Sequence, residues 1–118
     1  MTFWIIDWLR AFSLTLAVEL LVALPLLANA EGTWLRRSAG VVLVNLATHP
    51  LVWFVFPALS LEYWLRTALS EAWAVAIEFA GYVTLWPVLG GFRAGRAALA
   101  ANAASFAVGV LLRAYGYV

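Results

Sequence analysis

Seven polar side chains in this chain could do chemistry, and all of them lie inside apolar sequence: Glu19, Asn45, Thr48, His49, Glu78, Asn102 and Ser105. Asn45, Thr48 and His49 are spaced i, i+3 and i+4, so on a helix they share one face. The run that carries them, residues 38–58, has 21 residues and no formally charged side chain, and reads as a transmembrane helix. An acidic side chain at the bilayer centre costs about 2.5–3.5 kcal/mol on insertion scales. Two of them, Glu19 and Glu78, therefore need a reason to be there. A cation site supplies one. Glu19 and Glu78 would give carboxylate oxygens, Asn45 and Asn102 amide oxygens, and His49 a nitrogen. Oxygen donors favour hard ions such as Mg²⁺ or Ca²⁺, whereas a histidine draws the set toward Mn²⁺, Fe²⁺ or Zn²⁺. A divalent metal held by Glu19, Glu78 and His49 is one expectation. A proton relay through the same groups is the other, because two neighbouring carboxyls can share one proton. Thr48, Ser105, Tyr82 and Glu71 would support the set from around it, with Glu71 two turns from Glu78 at a mouth.

The elements that must position these groups follow from composition. The chain has 118 residues, of which 66% are hydrophobic and 11% charged. A soluble domain of this size could not cover so much apolar surface, so lipid is the expected solvent. The expected fold is all-α, a polytopic four-transmembrane-helix up-and-down bundle forming a single transmembrane domain over residues 1–118. The spans are expected at residues 11–30, 38–58, 71–89 and 97–113. Ala28-Asn29-Ala30 looks like a signal-peptidase site, but Glu19 interrupts the apolar stretch before it, so the first span is read as uncleaved. Residues 1–10 and 59–70 read as interfacial segments, the second with an i, i+4 pair Glu62–Arg66. Ser70 is the expected N-cap of the third span. Pro50 should kink the second and free the Leu46 carbonyl, which Asn45 could cap. Ala97, Ala101, Ser105 and Gly109 form a small-residue stripe suited to helix packing.

Topology follows from arginine, since all seven basic residues are Arg. Arg36, Arg37, Arg93 and Arg96 fall in two short loops, and Arg10, Arg66 and Arg113 at the other side. The positive-inside rule puts the first set in the cytoplasm and both termini outside. Aromatic residues such as Trp4, Trp8, Trp64 and Tyr115 read as interfacial anchors.

The two halves of the chain, about residues 1–59 and 60–118, resemble each other. Trp8-Leu9-Arg10 is echoed by Trp64-Leu65-Arg66, and Ala17-Val18-Glu19 by Ala76-Ile77-Glu78. Arg36 and Arg37 are echoed by Arg93 and Arg96, and Asn45-x-x-Thr48 by Asn102-x-x-Ser105. The order is kept at offsets of 56 to 59 residues. This points to two parallel copies of a helical hairpin. The Glu, Asn-x-x-Thr-x-Pro, Glu pattern resembles that of small bacterial inner-membrane proteins, which implies a multi-pass protein of the inner (plasma) membrane.

The expected function is a small membrane transporter or channel for a cation, either metal ion or proton. Two other classes compete. In an accessory or assembly subunit of a larger membrane complex, the polar groups would serve as interhelical hydrogen-bond glue. In an intramembrane enzyme, Ser105 and His49 would form a nucleophile–base pair, but the chain lacks the Gly-flanked serine and His-Glu-x-x-His motifs. The expected partners are the lipid bilayer, a small cation, and a second copy or larger complex. A net charge of +1 gives no reason to expect nucleic acid, and with no cysteine there is no thiolate chemistry.

Overall fold

A computed structural model describes residues 2–117. Four helices carry the chain: α1 (Thr2–Leu26), α2 (Trp34–Pro50), α3 (Tyr63–Leu85) and α4 (Gly91–Ala114). Among the described residues there is no strand. Each helix packs on its two neighbours in a ring, with α1 also closing on α4. Consequently α1 and α3 face each other across the centre, as do α2 and α4. The bundle measures 39 × 25 × 25 Å.

Among the described residues, three segments are long and apolar enough to cross a membrane: Phe3–Leu26, Trp34–Ala58 and Gly91–Ala114. The helix α3 is 23 residues long and carries Arg66, Glu71 and Glu78. Polarity is arranged inside-out. Leu21 and Phe92 are 77% and 82% exposed on the periphery, while Glu19 and Glu78 are each 1% exposed at the centre. Water would reverse that arrangement, and a hydrocarbon surround permits it.

Helix ends differ from the sequence expectation in a consistent way. The interfacial segments are not separate pieces. Residues 2–10 are the first turns of α1, and Tyr63–Ser70 are the first turns of α3. Glu62 does not pair with Arg66. It caps α3 instead, accepting from the Trp64 and Leu65 amides at 3.2 Å. Ser70 is not a cap but lies within the helix, its hydroxyl donating to the Thr67 carbonyl. Thr33 caps α2 through the Arg36 amide, so Arg36 and Arg37 belong to the first helical turn rather than to a loop. Arg37 reaches back to the loop carbonyls of Ala30 and Gly32 at 3.0 and 2.7 Å, tying the α1–α2 connection to the start of α2. Pro50 ends the α-helical part of α2, and the chain widens into a π turn over Leu51–Val55. Asn45 does not cap the Leu46 carbonyl; its amide donates to Val41.

The core is apolar toward the end of the bundle that carries the 27–33 and 86–90 loops. Leu27, Val41, Val44, Tyr82, Trp86, Leu89 and the alanines 94, 97, 98 and 101 pack there. Two glycines let α2 and α3 approach. A Cβ at Gly40 would lie 2.6 Å from the Trp86 ring, and one at Gly81 would fall on the Val44 side chain. In the small-residue stripe, Ala97 and Ala101 are fully buried, whereas Gly109 has open space where a Cβ would go.

Gly81→Val should therefore destabilise the bundle by about 1–3 kcal/mol through overpacking. Gly109→Ala should be neutral or stabilise by up to about 1 kcal/mol. Thermal unfolding of the two variants in detergent measures both. Equal melting temperatures would mean that α2 and α3 do not approach at Gly81.

Candidate functional site

The polar residues meet at a small cavity in the middle of the bundle. Its volume is about 140 Å³, and its wall includes Glu19, Asn45, Thr48, His49, Glu71, Glu78, Asn102 and Ser105. Every helix contributes. Glu19 comes from α1 and Glu78 from α3, helices on opposite sides of the ring, so their carboxyls meet across the centre. The Asn45 amide and the Glu78 carboxyl both flank Glu19.

The donors are specific. Ser105 Oγ donates to Glu19 Oε1 at 3.1 Å. Asn102 Nδ2 makes a short hydrogen bond to Glu78 Oε2. One oxygen of each carboxyl is left over: Glu19 Oε2 and Glu78 Oε1 are buried and have no partner. An unmatched buried acceptor is costly, and a single proton or a visiting cation would satisfy both at once. Local bonds fix the supporting side chains. Asn45 donates to the Val41 carbonyl at 3.0 Å, and Thr48 Oγ1 to the Asn45 carbonyl at 3.3 Å. Asn102 donates to Ala98 at 2.8 Å, and Ser105 to Asn102 at 3.1 Å. The two Asn-x-x-[Ser/Thr] segments thus make the same pair of backbone contacts.

His49 is set apart from the carboxyls by its bonding. Trp8 Nε1–H donates to His49 Nδ1 at 3.0 Å. An indole N–H can only donate, so Nδ1 must be the unprotonated nitrogen, and the neutral ring carries its proton on Nε2. The Phe12 ring meets the imidazole edge-on at 5.2 Å, and Trp53 stacks on it at 6.4 Å. A metal at Nε2 would require the proton to move to Nδ1, where the indole already donates. Among the described residues, no three His, Asp or Glu side chains are grouped to hold a metal ion. Glu19, Glu78 and His49 all border the cavity, but His49 Nδ1 is engaged by Trp8. The Ser105–His49 pair of the enzyme reading is not made either: Ser105 donates to Glu19 and the Asn102 carbonyl, and His49 Nδ1 accepts from Trp8.

The remaining expected residues take different places. Glu71 is half-buried and borders both the central cavity and a pocket nearer the terminal end of the bundle, at the opening. Tyr82 is fully buried but lies outside the cavity wall. It packs on Trp86, and its hydroxyl has no hydrogen-bond partner. With Leu27 and Leu89, it closes the loop end. At the terminal end the cavity adjoins a larger space lined by Arg10, Thr15, Ser105 and Arg113.

Sequence reasoning missed two contributors. Thr15 lines the cavity one turn before Glu19, a signal that was present in the i, i+4 spacing. Trp8, expected only as an interfacial anchor, is the donor that sets His49, and 41 residues of separation hide that contact.

Neither models of known protein families, nor curated proteins, nor solved structures give a match to this chain. The chemistry therefore has to be read from the cavity itself.

The chain has a single histidine, which makes its tautomer directly readable by ¹⁵N NMR. Wild type should show the Nε2–H form. Trp8→Phe, which removes the donor, should give a mixture of tautomers. An Nδ1–H form in wild type would rule out the Trp8 contact.

Proposed function

We propose that this protein is a small four-span transporter of the inner membrane that takes a cation, most simply a proton, onto the Glu19–Glu78 pair. The observation that carries the reading is the pair itself: two carboxyls from opposite helices, each held by one donor and each left with one unmatched oxygen at the same cavity. A proton fits better than a metal, because the oxygens converge in twos rather than in a cage. Among the described residues, the loop end is sealed by Leu27, Tyr82, Trp86 and Leu89, all 6% exposed or less. One open end and one closed end favour a carrier that must rearrange over an open channel.

In this reading α3 is the fourth span. Its 23 residues give about 35 Å at 1.5 Å rise, and Glu78 is turned inward while Phe79 and Leu85 face out. The bundle would then be two parallel copies of one hairpin, α1–α2 and α3–α4, about an axis along the membrane normal. The shared bonding of Asn45/Thr48 and Asn102/Ser105 supports that relation. Arginine placement supports the orientation with both termini outside.

A second reading draws on the bonds Asn102–Glu78 and Ser105–Glu19, both of which join helices. They could serve as glue in an accessory subunit, each contributing about 0.6 kcal/mol on average.

Proton flux into liposomes under an imposed potential separates the two. Wild type should conduct above empty vesicles, and Glu19→Gln and Glu78→Gln should each return flux to the vesicle background with little loss of thermal stability. Wild-type flux equal to that of empty vesicles would remove the transport reading. Full flux in both Gln variants would remove the carboxyl pair from it.

A further inference from the structure

A second feature lies on the outside of the bundle. A groove of about 830 Å³ runs along the face between α3 and α4, with Trp64, Ala72, Phe79, Leu99 and Phe106 among its walls. From Trp64 to Phe79 along α3 it extends about 22 Å at 1.5 Å rise per residue, longer than one leaflet of a hydrocarbon core about 30 Å thick. Thr67, Glu71 and Asn102 are its polar side chains apart from the Trp64 indole, and Thr67 and Glu71, with Phe106, are shared with a neighbouring pocket of about 280 Å³ at the terminal end. That pocket is bordered by Arg66 and Arg113. Among the described residues the one ion pair is Asp7–Arg10 at 3.9 Å, so neither Arg66 nor Arg113 has an acidic partner within bonding distance. Glu62, the acid spaced to pair with Arg66, is spent on capping α3. Glu71 borders the same pocket, and two guanidiniums against one carboxyl still leave it positive.

A mostly apolar groove longer than one leaflet, ending at two arginines with no acidic partner among the described residues, matches an amphiphile with an anionic head. Arginine's planar fork of donors suits phosphate oxygens. We propose that the α3–α4 groove and the Arg66–Arg113 pocket form one site for an anionic phospholipid, its phosphate between the two arginines and an acyl chain along the groove. A second copy of the chain fits the same face less well. A two-fold contact through α3–α4 about the membrane normal would bring four unpaired arginines together.

Native mass spectrometry of the full chain, delipidated in detergent, reads the site without any flux measurement, so it stands or falls separately from the transport reading. Phosphatidylglycerol should be retained at one molecule per chain, about thirtyfold more tightly than phosphatidylcholine, from roughly one charge contact per arginine. Arg66→Gln with Arg113→Gln should erase that preference. Ala72→Trp, which fills the groove and leaves both arginines, should weaken lipid retention while the helical circular dichroism stays unchanged. Equal retention of the two lipids by wild type would overturn the proposal. So would displacement of the lipid by inorganic phosphate at equal concentration, which would make the head pocket alone the site. A mass of two chains with the lipid released would assign the face to a dimer instead.

Discussion

Two carboxyl groups at the centre of a helical bundle set the terms for everything around them. A buried acid must find donors, and in an apolar surround those donors must come from the protein. Here they come from α4, which supplies Asn102 to Glu78 and Ser105 to Glu19. Because Glu19 and Glu78 lie on facing helices, one set of polar contacts ties α1, α3 and α4 at a common depth. On the remaining helix, α2, Asn45 completes the ring. Its own amide is anchored to Val41, so its position is set by backbone geometry rather than by the carboxyl it flanks.

The rest of the core is packed unevenly about that centre. Toward the loops, small residues bring the helices close. Alanines on α4 and glycines at 40 and 81 let Val44, Tyr82 and Trp86 fill the space. Toward the termini the spacing relaxes: the π turn after Pro50 widens α2, and Gly109 packs against nothing. The same fold thus gives dense packing at one end and cavities at the other. The change occurs at the depth of the two glutamates.

Much of this was legible in the sequence, and the parts that were not have a common cause. The depth of Glu19, Glu78, Asn45 and Asn102 followed from their place within apolar runs, and their shared cavity follows from that depth in an up-and-down bundle. Helix ends were misread wherever aromatic and charged residues mix, as at Trp4 to Arg10, Glu62 to Arg66 and Arg93 to Arg96. Such residues lower hydropathy without breaking a helix, so the apolar run ends before the backbone does. The Trp8–His49 contact was illegible for a different reason. Tryptophan near a span end is ordinarily an interfacial anchor, and only the packing of α1 on α2 turns its N–H inward.

Under the proposed reading, that contact bears on which ion the centre would take. Had His49 presented a free nitrogen to the cavity, the site would hold two hard oxygen donors and one borderline nitrogen, a set that invites a transition metal. The Trp8 indole occupies Nδ1, and the rings of Phe12 and Trp53 hold the imidazole in place. Of the two carboxyls, one oxygen each is left unmatched at the cavity. Two oxygens are too few to replace the hydration shell of Mg²⁺ or Ca²⁺, which takes six or more ligands. A proton needs only one oxygen to bind and a second to accept the hydrogen bond. Under the proposed reading, the position of one indole on α1 would turn the centre from metals toward protons.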